Sequence, residues 1–187
     1  EYNSASAIWV ENNQRVRWPQ IAKLQSWTGT GSGFVDLLDT GGINVWSAQL
    51  GGQYIIYQTR GIWSLNYVGG TTVFSPVVEV PDIGLLSPQL FTAFNNIHYF
   101  VGTDYNVYAY YGGSVLQKIG DKIRTFLKDD LLPDYLNYCR MAIGIDGIKL
   151  WIFIVPTGST YATKAYVMDR TTGAWTVRDF INKFPTG

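Results

Sequence analysis

The side chains best suited to catalysis are few and lie far apart along the sequence. The one histidine, His98, falls inside an apolar run and has no candidate nucleophile beside it. General base catalysis needs a reactive partner within hydrogen-bond reach of the imidazole, so His98 is interpreted as a structural histidine. The one cysteine, Cys139, also lies in an apolar run, where it is expected to be buried as a small hydrophobic side chain. We therefore predict no catalytic residues and a non-enzymatic protein.

Acidic residues could form a catalytic or metal site and glycines a phosphate-binding loop, but the spacing in this sequence argues against these sites. Asp129 and Asp130 are adjacent, whereas glycoside hydrolysis needs carboxylates that face each other across a sugar, so the pair is expected to end a helix. A single histidine and a single cysteine do not supply the clusters that metals need. The glycine-rich segment 27–33 lacks the Gly-Lys-Ser/Thr of a phosphate-binding loop and is interpreted as a turn. We predict no metal site and no cofactor-binding residues.

The charge composition limits the classes of partner. Charged residues make up 15% of the chain, and 14 basic side chains balance 14 acidic ones. Nucleic-acid and anionic-membrane binding rely on a basic surface, so neither sequence-specific nucleic-acid binding nor membrane binding is expected. The one basic cluster, Arg15, Arg17 and Lys23, is interpreted as a solvated strand face. A surface with so few charges is typical of a protein that contacts other proteins in an assembly.

Aromatic residues are abundant, with 13 Tyr and 7 Trp. Exposed Trp and Tyr rings stack well on sugars, which makes a carbohydrate- or receptor-binding domain the alternative function. A row of tyrosines nevertheless falls on both faces of one predicted strand, a pattern that favours core or interface packing. These residues are Tyr105, Tyr108, Tyr110 and Tyr111.

Short apolar or alternating runs separated by glycines predict an all-β fold made of antiparallel hairpins. Three hairpins resemble one another and begin near residues 53, 96 and 147. A repeat of roughly 40 to 50 residues is typical of β-propeller blades. An Asn-rich turn at 11–14 predicts one more hairpin at the start of the chain. The predicted blade-like hairpins lie near residues 8–18, 53–67, 96–111 and 147–169.

One strand and one helix bear on how such hairpins would pack. The run Ile148–Val155 is apolar at seven of eight positions, which predicts burial on both faces, as in blades stacked face to face; the central strand of a β-sandwich is the alternative. A short helix connecting two blades is predicted near 121–132, with Asp121 as its N-cap and Pro133 beyond its end. Its apolar stripe consists of Ile123, Phe126, Leu127 and Leu131.

Two sets of motifs carry a resemblance to known families. The segment 166–175 resembles the blade-closing turn of kelch-type propellers, in which Asp169 and the Thr-Gly pair form the turn and Trp175 packs between blades. Over roughly residues 8–180 the order and spacing of motifs is similar to that of bacteriophage virion propeller proteins, including the tail hub or DNA-stabilisation protein of short-tailed phages. These motifs are Arg15–Trp18, Gly33–Leu37, Tyr57–Trp63, Phe74–Pro76, Gly84–Pro88, Tyr99–Gly102 and Tyr108–Gly113.

The resemblance implies a structural component of a phage tail or head-to-tail connector. Such a protein closes the channel below the portal, retains packaged DNA and supports tail assembly, without catalysis. The implied partners are other virion proteins, namely the portal or adaptor ring and tail fibre or needle proteins, together with further copies of the chain in a ring, often six. We expect residues 1–187 to form a single propeller-like domain or a fragment of one, because this length supplies about four blades at most.

Overall fold

The computed structural model describes residues 2–3, 8–9, 12–20, 22–70 and 72–180, and most of its regular structure is β-strand. In this part of the chain the one α-helix is α1, Arg124–Asp130, and short 3-10 turns cover Pro88–Leu90 and Pro133–Tyr135. The predicted all-β class is confirmed. The strands are β1 (Tyr2–Asn3), β2 (Ile8–Trp9), β3 (Arg15–Trp18), β4 (Gly33–Asp36), β5 (Asn44–Leu50), β6 (Gln53–Gln58), β7 (Gly61–Tyr67), β8 (Phe74–Pro81), β9 (Phe91–Phe94), β10 (Ile97–Val101), β11 (Val107–Tyr110), β12 (Leu116–Lys118), β13 (Arg140–Ile143), β14 (Lys149–Ile154), β15 (Lys164–Asp169) and β16 (Trp175–Asp179).

Among the described residues, each pairing between strands is antiparallel and joins two strands that are consecutive in the chain. Strands β5–β8, β9–β12 and β13–β16 each form a four-stranded sheet in which every strand lies beside its chain neighbours, and we call these sheets I, II and III. Strands β3 and β4 form a two-stranded ribbon, called the N-terminal ribbon, and β1 pairs with β2. The hairpins predicted near 53–67, 96–111 and 147–169 are confirmed, because they are the central strand pairs of the three sheets.

The hairpin predicted near 8–18 is wrong. Strand β3 pairs with β4 across a long connection, and β2 pairs with β1. The register of β3 and β4 explains why these strands pair. It sets Arg15 opposite Asp36, with two hydrogen bonds of 2.6 and 2.8 Å, and it places Val16 beside Val35 against sheet I. The Asn-rich turn contributes a hydrogen bond from the Arg15 amide to the Asn12 carbonyl, at 3.4 Å, that leads into β3.

The core consists of three apolar clusters, each lying between two successive layers. Side chains alternate along a strand, so the central strands of sheets I and II contribute to a cluster on either side. The layers therefore pack face to face in the order in which the chain forms them. Between the N-terminal ribbon and sheet I lie Leu37, Ile56, Trp63 and Leu65; between sheets I and II lie Ile55, Tyr57, Ile62, Phe100, Tyr108 and Tyr110; between sheets II and III lie Tyr99, Val101, Val107, Leu150, Ile152 and Met168.

Helix α1 connects sheets II and III but differs from the predicted helix in two respects. Its N-cap is Ile123 and no side chain caps it, because the carboxylate of Asp121 accepts a hydrogen bond from the Asn106 amide at 2.6 Å instead. Leu127 is buried in the cluster between sheets II and III, whereas Phe126 is 60% exposed. Among the described residues, no helix has both the length and the apolarity required to cross a membrane.

Strand β14 is buried on one face only within the described chain. Leu150, Ile152 and Ile154 point into the cluster shared with sheet II, while Trp151 and Phe153 are half-buried on the opposite face. The prediction that both faces are buried is therefore wrong for this strand in the part of the molecule that the structure describes. Trp and Phe count as apolar wherever they point, which hid the alternation in the sequence. We call the second face the outer face of sheet III.

Candidate functional site

His98 lies in β10, where it faces sheet I and is almost fully buried. Its Nδ1 is 2.8 Å from the Tyr57 hydroxyl and its Nε2 is 3.0 Å from the Gln49 carbonyl oxygen. Burial lowers the pKa of His98, which favours the neutral ring at neutral pH. Both ring nitrogens are thus engaged in joining sheets I and II, which agrees with a structural interpretation of this residue.

Cys139 and the two aspartates at the end of α1 also have structural surroundings. Cys139 is fully buried, as predicted; its sulfur accepts a hydrogen bond from the Val155 amide at 3.5 Å, and burial raises the pKa of the thiol. Asp130 is the last residue of α1 and accepts hydrogen bonds from Lys164 and the Tyr166 hydroxyl at 2.7 and 2.5 Å. Asp129 is exposed. The pair ends the helix, as expected.

The basic cluster is not a uniform solvated face. The guanidinium of Arg15 forms an ion pair with Asp36 and lies 3.8 Å from the centroid of the Phe34 ring, whereas Arg17 and Lys23 are exposed. The Arg15 hydrogen bond is the main reason that the pKa of Asp36 is lowered.

The prediction that the four tyrosines fall on both faces of one strand is wrong, because only Tyr108 and Tyr110 lie in β11 and both point to the same face. Tyr108 and Tyr110 are buried between sheets I and II, and Tyr105 packs against the cluster between sheets II and III. Tyr111 is exposed. Core packing therefore accounts for three of the four rings.

Two side chains from the end of the chain, Arg170 and Trp175, join sheet III to sheet II or to its connection. Arg170, after β15, donates from Nε and Nη2 to the Tyr99 hydroxyl of sheet II at 3.1 and 2.9 Å, and its guanidinium lies 4.7 Å from the centroid of the Phe94 ring. Trp175 donates its indole N–H to the carbonyl oxygen of Ile119 at 2.7 Å. The resemblance implies that Trp175 packs between blades; in the structure it packs against the cluster between sheets II and III and contacts the connection after sheet II.

A groove on the outer face of sheet III collects a second set of polar side chains around an aromatic ring. Lys149, Trp151 and Phe153 lie on this face, and the register places Asp169 opposite Lys149. The groove encloses about 280 Å³, near the lower limit of small-molecule clefts, which is roughly 300 Å³. It is lined by Lys149, Trp151, Val167, Asp169, Thr172, Ala174, Thr176 and Arg178.

The aromatic rings of this face form a row. Trp151 and Phe153 are nearly parallel, with ring centroids 5.7 Å apart and an interplanar angle of 9°, and Phe153 is followed by Phe180 at 6.3 Å. Phe153 and Phe180 line a separate apolar cleft with Tyr161. The groove is lined by Trp151 but not by Phe153, so the two aromatic residues divide between the groove and the apolar cleft.

The carboxylate of Asp169 is held in place by the turn between β15 and β16. Its Oδ1 accepts hydrogen bonds from the Thr171 amide and hydroxyl at 2.8 and 2.5 Å and from the Thr172 amide at 3.2 Å. These bonds, with a smaller contribution from the charge of Lys149, lower the pKa of Asp169. The result is an ionised carboxylate whose Oδ2 accepts no hydrogen bond from the described residues.

These arrangements determine what chemistry the molecule can perform. The part of the chain that the structure describes contains no group of three His, Cys, Asp or Glu side chains placed to hold a metal ion. The groove of sheet III is instead suited to binding, since it combines a partly exposed indole with fixed donors and acceptors. Sequence reasoning missed it because its residues come from three strands and a turn, and because Trp151 in an apolar run looks like a core residue.

Comparison with known proteins adds no family assignment. No protein-family model matches the chain, and no curated protein matches it.

Proposed function

We propose that the chain is a non-enzymatic structural component of a bacteriophage tail or head-to-tail connector, built from propeller-type blades. In this proposal sheets I, II and III are successive blades, and the chain forms a ring with further copies, next to a portal or adaptor ring and tail fibre or needle proteins. The motif order described above motivates the virion assignment. The following observations support the structural part.

The single observation that carries the proposal is the face-to-face stacking of sheets in chain order. Phe100 and Tyr108 of sheet II point toward sheet I, while Tyr99 and Val107 of the same strands point toward sheet III. Propeller blades bury their central strands in this way, because each blade is a small sheet that relies on its neighbours to cover both faces. A β-sandwich has two layers, whereas here three four-stranded sheets follow one another.

The use of polar side chains supports a scaffold in preference to an enzyme. His98, Arg170 and Trp175 each form hydrogen bonds from one sheet to the next or to its connection. Catalytic groups have to present a free donor, acceptor or nucleophile to a substrate. Side chains that fix one sheet relative to the next make the molecule rigid, which suits a component of a large particle.

The assembly proposal is tested by light scattering and negative-stain electron microscopy of the purified chain over a range of concentrations. We expect ring-like oligomers that persist at high salt, because a surface with few charges associates mainly through apolar contacts, which salt does not screen. A monomer at high concentration contradicts the ring, and association lost in high salt contradicts its apolar origin. The virion assignment needs a separate test, which is the sequence of the neighbouring reading frames. We expect these frames to encode portal, adaptor or tail proteins.

A second candidate function is carbohydrate or receptor binding. It is favoured by one observation, the aromatic row with a polar groove on the outer face of sheet III. A glycan array distinguishes this candidate from a purely structural role.

A further inference from the structure

We propose that the groove on the outer face of sheet III binds an acidic oligosaccharide, with a sugar ring stacked on Trp151 and a sugar carboxylate paired with Arg178. The inference rests on the second candidate function above and adds the site and the chemical class of its ligand. It does not depend on the virion assignment.

The proposed site contains the Trp151 indole, which lines the groove. Phe153 stacks on it with ring centroids 5.7 Å apart and nearly parallel planes, which restricts the rotation of the indole. Aromatic faces carry partial negative charge and attract the slightly positive C–H groups on the flat side of a sugar ring. A braced indole loses little conformational entropy when a ligand stacks on it.

The rim of the groove supplies complementary hydrogen-bonding groups. The ionised Asp169 presents its Oδ2 to hydroxyl donors, and the hydroxyls of Thr172 and Thr176 can donate or accept. Because Asp169 Oδ1 is held by three hydrogen bonds from the turn, the direction of its Oδ2 is set before a ligand arrives. Such fixed polar groups beside an apolar surface are typical of sites that bind a ligand in one orientation.

The charges favour an acidic sugar over a neutral one. Lys149 lies opposite Asp169 in the ladder and balances its charge. Arg178 is exposed, lines the same groove and has no hydrogen-bonding partner among the described residues. The groove therefore carries one excess positive charge, which is that of Arg178. A guanidinium binds a carboxylate through two parallel hydrogen bonds.

Single-stranded nucleic acid fits this groove less well. Base binding uses aromatic faces together with a positive track along the phosphates. Here the groove carries a single excess positive charge, which does not form a positive track along several phosphates.

The test is a glycan array carrying both uronate-containing and neutral oligosaccharides, followed by calorimetric titration with oligogalacturonate and with its neutral galactose counterpart. We expect the wild-type chain to bind acidic oligosaccharides. Trp151→Ala should abolish binding, and Arg178→Gln should weaken acidic binding about ten- to hundredfold, the usual effect of losing a charged hydrogen bond. Trp27→Ala serves as the control, because Trp27 is an exposed tryptophan that lies outside the groove; this variant should bind like the wild type.

Each other outcome overturns the proposal in a distinguishable way. Neutral sugars bound through Trp151 without dependence on Arg178 would leave carbohydrate binding in place and refute the acidic ligand. No sugar bound at all would refute both. Acidic binding that survives Trp151→Ala, or Trp151-dependent binding of single-stranded DNA in place of sugar, would refute the site. Circular dichroism of each variant verifies that loss of binding is not loss of fold.

Discussion

His98 is held as a neutral imidazole between sheets I and II. The Gln49 carbonyl can only accept, so the partners assign the ring proton to Nε2, and Nδ1 then accepts from the Tyr57 hydroxyl. A protonated ring would need acceptors at both nitrogens, and the Tyr57 hydroxyl would lose its acceptor. Burial, which lowers the pKa of His98, disfavours the same charged state.

The free energy of unfolding should therefore fall as the pH drops below about 6.5, the ordinary pKa of an unfolded histidine. Below that pH the unfolded chain takes up a proton that the folded chain resists, so stability rises with pH across this window and is level above it. Asp36 and Asp169 also have a lowered pKa, but stability from carboxylates is lost only near pH 4 and below. Urea unfolding between about pH 7.5 and about pH 5 measures the slope.

His98→Gln is the control for this prediction. Glutamine keeps a donor and an acceptor but does not titrate, so the difference between the pH 7.5 and pH 5 stabilities should shrink. An unchanged difference in the variant would assign the pH dependence to other groups. Because His98 is the only histidine in the chain, no second imidazole can mask the result.

At the scale of elements, helix α1 is held by a few side chains placed between sheets II and III. Leu127 is fully buried, while the neighbouring Phe126 is 60% exposed. The helix has seven residues and no side-chain cap, so it is too short to be stable alone and depends on this packing.

Leu127→Ala should lower the free energy of unfolding by about 2–5 kcal/mol, because it removes buried methyl groups and leaves a cavity. Phe126→Ala, one residue away, should change it by about 0.5 kcal/mol or less, because its ring is already in water. Thermal or urea unfolding of the two variants compares them directly. Equal losses would mean that the helix packs through a different face.

The contact between Arg170 and Tyr99 couples sheet III to sheet II. Arg170→Lys retains the charge but cannot donate twice to one hydroxyl, and we expect it to cost about 1–3 kcal/mol. Tyr99→Phe should cost a similar amount, and the double variant should cost less than the sum because both changes remove the same interaction. Arg178→Lys, on the exposed outer face, is the control. Additive losses in the double-mutant cycle would show that the two side chains do not act together.

Elements differed in how far the sequence could predict them. Hairpins such as Tyr54–Leu65 were visible because their strands are adjacent and glycines mark their ends. The pairing of β3 with β4 was not visible, because it spans a long connection and depends on Val16 and Val35 contacting sheet I. The prediction that Asp121 caps helix α1 was wrong for a related reason. Its carboxylate accepts a hydrogen bond from Asn106, a tertiary partner that local propensity does not include.

The candidate groove of sheet III was less predictable than the fold. Its residues come from β14, β15, β16 and a turn, and only the ladder register brings Lys149, Asp169 and Arg178 onto one face. Asp169 and Trp175 were correctly associated with a turn and with packing. The sequence pattern did not reveal that Trp151 lines a groove, because an aromatic residue in an apolar run looks the same in a core and in a groove.

At the scale of the whole molecule, each sheet packs against the one that precedes it in the chain. Sheet II is covered on both faces, whereas sheet III is covered on one within the described chain. Molecules built in this way derive stability from each unit and from each contact between neighbours, so their parts can open separately. Opening sheet III breaks one interface, whereas opening sheet II breaks two.

Amide hydrogen exchange should therefore be slower in the central strands of sheet II, β10 and β11, than in those of sheet III, β14 and β15, measured under native conditions by mass spectrometry. Leu150→Ala removes a fully buried side chain from the contact between sheets II and III and should cost about 2–5 kcal/mol locally. It should speed exchange in β14 and β15 strongly, while β6 and β7, two layers away, change little. Phe126→Ala supplies the unperturbed reference. If exchange instead accelerated equally in all three sheets, the molecule would open as one cooperative unit, and stability would not be divisible among the stacked sheets.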